Sequence, residues 1–438
     1  MKNVKNKSFR KFLVVWTGEW ISSIGSGLTA FSLAVYVYQM THTATSVALV
    51  TLCAFLPSIL LAPVGGVLAD RFDRRLLMIL GDLGSALGLV YVLIIMLAGP
   101  IALWQIYLGV TFSSVFVSLL EPSYKATVTD LLTEEEFAKA SGLVQLSGAS
   151  KYLLSPFIAA FLLGIADIKT VLIIDIATFL ITIFAVFFIR TGLKLESIEG
   201  KKQHFLKDLS EGWKVIAANK GVVELIAVIS VVTFYIGFVQ TLITPLLLSI
   251  SNVTTLGSVQ SVSAVGMLVS SMMIGIFNMK KNYTNKLALG LGLAGLFIAM
   301  MGLTTNIYVI AASGFLFFAA LPLINTSADV LIRTNIPNEQ QGRAWGNIGI
   351  LSQLGFVAAY GVSGLLADTV FNPLMLENGP LASSAGQVFG TGPTRGIGLL
   401  FFVSGFFIAV IAIILLQFKS VRALEKPPEK QPVLLEVQ

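Results

Sequence analysis

The sequence predicts an all-α membrane protein of twelve transmembrane helices in two pseudo-symmetric six-helix bundles. Three observations carry this. The 438 residues are 55% hydrophobic and only 12% charged, whereas soluble domains carry about 25% charged residues. The apolar residues fall in blocks long enough to cross a bilayer, which takes roughly 20 mostly apolar residues per helix. The basic residues are gathered on one side of the loops that alternate between these blocks.

The spans are placed at 12–38, 44–69, 76–98, 101–122, 139–164 and 169–189, then at 221–249, 256–279, 286–304, 307–329, 343–369 and 396–418. Of the 29 Lys and Arg residues, 26 lie in the termini and the loops on their side. Two, Lys169 and Arg395, lie on the opposite side, and Lys151 lies inside a span. This asymmetry puts both termini in the cytoplasm and requires an even number of spans. It also accounts for the net charge of +6 without nucleic acid. The expected partners are the lipid bilayer and a small molecule, and the expected state is a monomer. The basic N-terminus leads into an apolar block as a signal peptide does, but the block is too long and further spans follow, so no cleavage is expected. The one cysteine, Cys53, cannot form an internal disulfide and reads as a buried, inert thiol.

The organisation expected is an N-terminal bundle over 1–189, a cytoplasmic linker over 190–220, a C-terminal bundle over 221–418 and a cytoplasmic tail over 419–438. In the linker Phe205, Leu206, Leu209, Trp213 and Ile216 share one helical face, which predicts an amphipathic helix on the inner membrane surface. The loop at 370–395 is rich in Gly, Pro and Ser, and its sequence does not decide between order and mobility.

The halves echo one another. Glu135, Lys139, Ala140 and Gly142 recur as Glu339, Arg343, Ala344 and Gly346 at a constant offset of 204. Glu121 and Lys125 recur as Asp329 and Arg333 at offset 208. Each of the latter pairs is spaced i,i+4 at the cytoplasmic end of the fourth helix of its half, where opposite charges meet across one helical turn. Parallel repeats of this kind are one transporter plan.

The loop between spans 2 and 3 reads Gly65-Gly66-Val67-Leu68-Ala69-Asp70-Arg71-Phe72-Asp73-Arg74-Arg75. This resembles the loop 2–3 signature of the major facilitator superfamily, with Asp73 in place of the usual third-position Gly. That variant looks like the macrolide-efflux branch of proton-driven drug exporters, which has siderophore-exporter-like members. Asp130 to Glu136 ahead of span 5, Ser155-Pro156 within it, Gly342-Arg343 entering span 11 and Gly392 to Gly398 before span 12 fit the same branch. The resemblance implies the major facilitator fold, alternating access and efflux. Span 5 departs from many antiporters, which carry Gly-Pro with paired Gly where this chain has Ser155-Pro156-Phe157-Ile158-Ala159-Ala160.

Gly65 and Gly66 suit close helix approach, and Asp70 suits the N-terminus of another helix. By the resemblance that helix is span 11, near Arg343. Arg74 then bridges Asp70 and Glu121, and with Gly66, Arg71 and Arg75 the group latches the halves on the cytoplasmic side in the outward-open state. The alternative is a run of solvated charges that only sets topology. The second-half copy, Gly275 to Lys281, lacks the Asp.

Ionisable residues within spans are functional candidates. Glu19 lies about 10 Å into span 1, Lys151 about 18 Å into span 5 and Asp175 about 9 Å from the outer end of span 6, at 1.5 Å per residue. These three are candidates for proton coupling or substrate binding. A structural Glu19–Lys151 pair is the alternative for the first two. Asp329 and Arg333 read as structural, and Asp82 receives no role. Trp20, Tyr152, Tyr235, Gln240, Asn325 and Gln353 are candidates for lining a cavity.

Other chemistry is missing. Gly290-Leu291-Gly292-Leu293-Ala294-Gly295 fits a dinucleotide pattern, but it lies in an apolar span with no strand before it. There is no Gly-x-x-x-x-Gly-Lys-Ser/Thr, no His-Glu-x-x-His and no Gly-x-Ser-x-Gly, and both histidines, His42 and His204, lie outside the spans. No enzyme, cofactor or metal is therefore expected. A proton-coupled exporter of amphipathic drugs or metabolites is the leading reading. A nutrient importer or facilitator, and more distantly a receptor or scaffold, are the alternatives.

Overall fold

A computed structural model describes residues 8–190, 213–277 and 281–425. Among them twelve helices are long and apolar enough to cross a membrane. They are α1 (Phe9–Thr41), α2 (Ala44–Arg71), α3 (Arg74–Ala98), α4 (Leu103–Leu131), α5 (Phe137–Ile165) and α6 (Ile168–Arg190). The second set is α7 (Lys220–Leu248), α8 (Val253–Ile276), α9 (Tyr283–Leu303), α10 (Ile307–Asn335), α11 (Asn338–Leu365) and α12 (Arg395–Leu415). Hydrocarbon offers backbone groups no partners, so a chain this apolar closes its hydrogen bonds within helices. Twelve crossings return the chain to the side where it begins, the terminal side; the opposite side is the far side.

Polar side chains start the helices. Thr43, Asn252 and Asn306 accept hydrogen bonds from the first-turn amides of α2, α8 and α10. Asp73 accepts from the Arg75 amide at 3.1 Å and so caps α3, a reason for Asp where the signature has Gly. α4 and α10 run past the ends of their apolar stretches, because the i,i+4 pairs carry the helix into water. Lys125 meets Glu121 at 2.6 Å and Arg333 meets Asp329 at 2.7 Å.

The packing repeats. α3–α4, α2–α4, α1–α5 and α3–α6 in the first six helices have counterparts in α9–α10, α8–α10, α7–α11 and α9–α12. Glycines permit the closest approaches: Gly65 of α2 lies on the Ser118 carbonyl of α4, and Gly88 of α3 on the Gly109 carbonyl. Gly66 has open space around its Cβ position, so only the first of the two expected glycines works by close approach. Cys53 is free but half-buried rather than fully buried.

The two sets meet mainly through α2–α11 and α5–α8. These contacts lie towards the far side. Gly257 of α8 packs on Pro156 and Ala160 of α5, Gly364 of α11 packs on Thr45 of α2, and Phe55 of α2 meets Phe356 and Tyr360 of α11. At the terminal side Phe72, Met272, Ile276 and Phe277 are exposed.

The segment 370–395 is ordered. α11 continues through a π-helical turn, Leu366–Phe371, and the loop is tied back by Gly392 N to Met375 O at 2.9 Å and Arg395 Nε to Phe389 O at 2.5 Å. A short helix after α12, Lys419–Ala423, bonds Ser420 to Glu224 of α7. Phe205, Leu206 and Leu209 of the linker and residues 278–280 of the loop copy lie outside the described residues, and the surroundings of Glu339, Arg343 and Gly346 are not described; of the linker face, Ile216 is buried and Trp213 exposed.

The two adjacent glycines give a direct packing test. Gly65→Leu drives a side chain into the α4 backbone and should cost about 1–3 kcal/mol, whereas Gly66→Leu should stay within about 0.5 kcal/mol of the parent. Thermal unfolding in detergent, followed by a thiol-reactive dye on Cys53, reads the difference. Equal effects would contradict this packing.

Candidate functional site: central cavity and flanking gates

A cavity of about 200 Å³ lies between the two sets of helices. Gly27 and Phe31 of α1, Thr51 of α2, and Lys151 and Tyr152 of α5 line it from one side. Gln240 and Thr244 of α7, Gln260 and Ser263 of α8, Met301 of α9 and Phe318 of α10 line it from the other. A mostly apolar wall with a few convergent polar groups is what a small-molecule site needs. The Tyr360 hydroxyl donates to Gln240 Oε1 at 2.9 Å and fixes that amide.

Of the cavity candidates, Tyr152 and Gln240 line this space. Tyr235 packs against Phe234 and Phe238 and borders a separate small void near α9 and α10. Trp20 stacks on Trp16, with ring centroids 5.3 Å apart. Gln353 buries its Oε1 away from the cavity, and Asn325 is exposed on α10. Gln260, Thr51 and Ser263 were not singled out in the sequence, because a polar residue in a span does not reveal which way it faces.

The acids within the spans are not among the residues that line the cavity; Asp82 and Asp175 are buried and Glu19 is half-buried. Asp175 of α6 presses against Gly25 of α1 and accepts from the Thr178 hydroxyl at 3.3 Å. It is within electrostatic reach of Lys151. Glu19 is not placed beside Lys151. The residue of α1 that faces Lys151 is Gly27, eight positions and therefore about 12 Å further along the helix. Glu19 instead lies within electrostatic reach of Asp82 and Tyr124. Asp82 is fully buried, and neither of its carboxylate oxygens has a hydrogen-bond partner among the described residues. Glu19, Asp82 and Asp175 thus form one acidic group across α1, α3 and α6. The signal for Asp82 was its setting on a small-residue face with Gly81, Ser85 and Gly88, all buried.

At the terminal side the expected network takes a different form. Arg74 pairs with Asp130 at 2.7 Å and donates from Nε to the Ala69 carbonyl at 3.3 Å, while Glu121 is held by Lys125. Asp130 lies at the end of α4 opposite the first turn of α3, whereas Glu121 is nine residues back, about 13 Å along the helix. Asp70 and Arg71 are exposed, and Asp70 has no ion pair among the described residues. Arg75 is half-buried.

At the far side the halves are joined by a contact that sequence reading missed. Asp368, in the π-helical turn after α11, accepts from Ala44 N at 3.2 Å, Thr45 N at 2.7 Å and Thr45 Oγ1 at 2.7 Å. A carboxylate from one half thereby caps the N-terminus of a helix in the other, where amides lack helical partners and the helix dipole favours negative charge. The partners are 323 residues apart, and no local pattern announces them.

The model of the Major Facilitator Superfamily matches residues 15–251. The chain belongs to this superfamily. It is accordingly a multi-pass membrane transporter and not an enzyme. It is similar to macrolide efflux protein A of Streptococcus pyogenes, with 25% identity over 371 residues, 82% of this chain and 90% of that protein. A shorter match, 29% over 159 residues, links it to the enterobactin exporter EntS of Shigella flexneri, covering 36% of this chain and 38% of that one. The crystal structure of the nucleoside transporter NupG superposes with a TM-score of 0.72 at 12% identity, over 93% of this chain and 100% of that one, and shows the shared fold.

The Asp368 cap yields a measurable expectation. Hydrogen bonds to a charged group contribute about 1.5–3 kcal/mol, so Asp368→Ala should shift the population towards far-side opening by roughly tenfold or more. In a Cys53→Ser background, Thr51→Cys should then react correspondingly faster with an impermeant maleimide applied from the far side. An unchanged rate would remove Asp368 as the far-side gate.

Proposed function

We propose that the protein is a proton-coupled exporter of amphipathic drugs or metabolites that works by alternating access. The observation that carries this reading is the likeness to macrolide efflux protein A along 82% of the chain, joined to an apolar central cavity. In this reading the membrane is a bacterial cell membrane, by likeness to bacterial efflux proteins, and the charge asymmetry of the loops supports the terminal side as its cytoplasmic face. The conformation described is then the inward-open one, with its cavity sealed at the outer face.

In this reading the units over 1–189 and 221–418 rock as bodies on either side of the cavity, linked through 190–220, and the chain acts as a monomer. Asp368 on α2 and Gly257 on α5 stabilise the inward-open state. In the outward-open state Asp70 engages the start of α11, and Arg74 turns from Asp130 towards Asp70 and Glu121 to form the cytoplasmic latch. Only interactions that differ between two states shift their balance, and these two gates differ by construction.

The acidic group supplies the coupling. A proton entering from outside neutralises a carboxylate among Glu19, Asp82 and Asp175 and favours inward opening. Its release to the cytoplasm accompanies substrate capture. The acids lie outside the cavity wall, so proton and substrate communicate through the packing of α1 rather than by sharing one group.

Efflux of a panel of acidic, neutral and basic amphiphiles, macrolides included, from pump-deficient bacteria tests this. The parent protein should lower accumulation, and both a protonophore and Glu19→Gln should return it to background at equal expression. Loss with the protonophore alone would make Glu19 structural, and no movement of any compound would overturn drug export.

A further inference from the structure

We propose that the central cavity selects amphiphiles bearing an acidic group, with Lys151 as the counter-charge. This rests on the export reading and narrows its substrate class.

Among the described residues lining the cavity, Lys151 is the one with a formal charge. Of the acids within the spans of the same half, Glu19, Asp82 and Asp175, none lines the cavity. Asp175 reaches Lys151 electrostatically while only 1% exposed, so it steadies the ammonium without offering a carboxylate to a ligand. The position of Lys151 is set by packing. A Cβ on Gly27 would sit 3.1 Å from its Cγ, and Ser155, one turn along α5, donates to the Ile24 carbonyl at 3.0 Å. The stem is thus laid on α1, and Lys151 stands in the cavity wall.

The neutral groups reinforce the sign. Gln240 spends its oxygen on the Tyr360 hydroxyl, which leaves its NH₂ as a donor. Thr51 and Ser263 donate to Val47 O at 2.9 Å and Val259 O at 2.7 Å, so their oxygens remain as acceptors. Of these groups the donors stand on α5 and α7 and the acceptors on α2 and α8, while Tyr152, Thr244 and Gln260 can serve as either. A carboxylate or ionised phenol fits the first pair and a hydroxyl fits the second, with the apolar body against Phe31, Met301 and Phe318. A cationic amphiphile would bring like charge to Lys151 in a low-dielectric space, where repulsion is poorly screened.

The test is equilibrium binding to the purified full-length protein, read by fluorescence anisotropy with three probes sharing one apolar body: pyrenebutyric acid, its primary amide and pyrenebutylamine. The acid should bind roughly tenfold or more tightly than the amide, as expected for a charge-assisted bond, and the amine weakest. Lys151→Met should bring the acid down to the amide while amide binding changes by less than about twofold. Lys151→Arg should keep the preference. The inference is overturned if the amine binds best, if the three bind alike or not at all, or if Lys151→Met weakens all three equally. Should Lys151→Met fail to fold, the order in the parent and in Lys151→Arg decides. Binding is read without flux, so the preference can fail while export stands, and export can fail while the preference stands.

Discussion

The first turn of α2 leaves backbone amides with no partner inside the helix, and at the edge of a bilayer such amides need one. Asp368 supplies it from the other half of the chain, with two bonds to backbone amides and a third to the Thr45 hydroxyl. The arrangement of the two sets of helices depends on this contact and on the glycines beside it. Gly364 lets α11 lie on the backbone at Thr45, and Gly257 does the same for α8 on Pro156. The far side is joined in this way, while Phe72 and Phe277 are exposed on the terminal side.

Helices buried in one another by small residues can exchange one close-packed arrangement for another, and charged groups at their ends bias the choice. The end groups here are unequal. The far side uses one carboxylate on a helix N-terminus. The terminal side holds Arg74 on Asp130 and Glu121 on Lys125, and leaves Asp70 exposed. Such asymmetry suits a protein whose two states are selected by different ligands. Glu19, Asp82 and Asp175 belong to one half and the cavity to both, so in the proposed cycle the site of neutralisation is separate from the site of cargo.

The fold was legible because bilayer thickness, backbone satisfaction and charge asymmetry each leave a mark that spans many residues. Twelve apolar blocks became twelve helices, and the offset pairs Glu121–Lys125 and Asp329–Arg333 became two matching ion pairs. The site was less legible, for geometric reasons. Periodicity in an apolar helix does not say which face meets lipid, so Tyr235 and Trp20 could not be told from Tyr152. Counting residues places Glu19 at a different depth from Lys151, and a pair across that difference is not what the fold makes, because Gly27 occupies the level of Lys151 on α1. Asp82, near the start of span 3, receives no role from the sequence, because only the folded packing buries it. Asp368 gave no signal at all, since its partners are the amides of a helix at the other end of the chain.

In the proposed cycle the two gates open in alternation. Double electron–electron resonance on spin labels tests it directly in a Cys53→Ser background. One pair, Phe72→Cys with Phe277→Cys, reports the terminal side, and another, Met40→Cys with Thr369→Cys, reports the far side. The account predicts reciprocal behaviour across pH and added amphiphile: the terminal pair shortens in the same fraction of molecules in which the far pair lengthens. Distances that stay fixed in both pairs, or that change in the same sense, would contradict it.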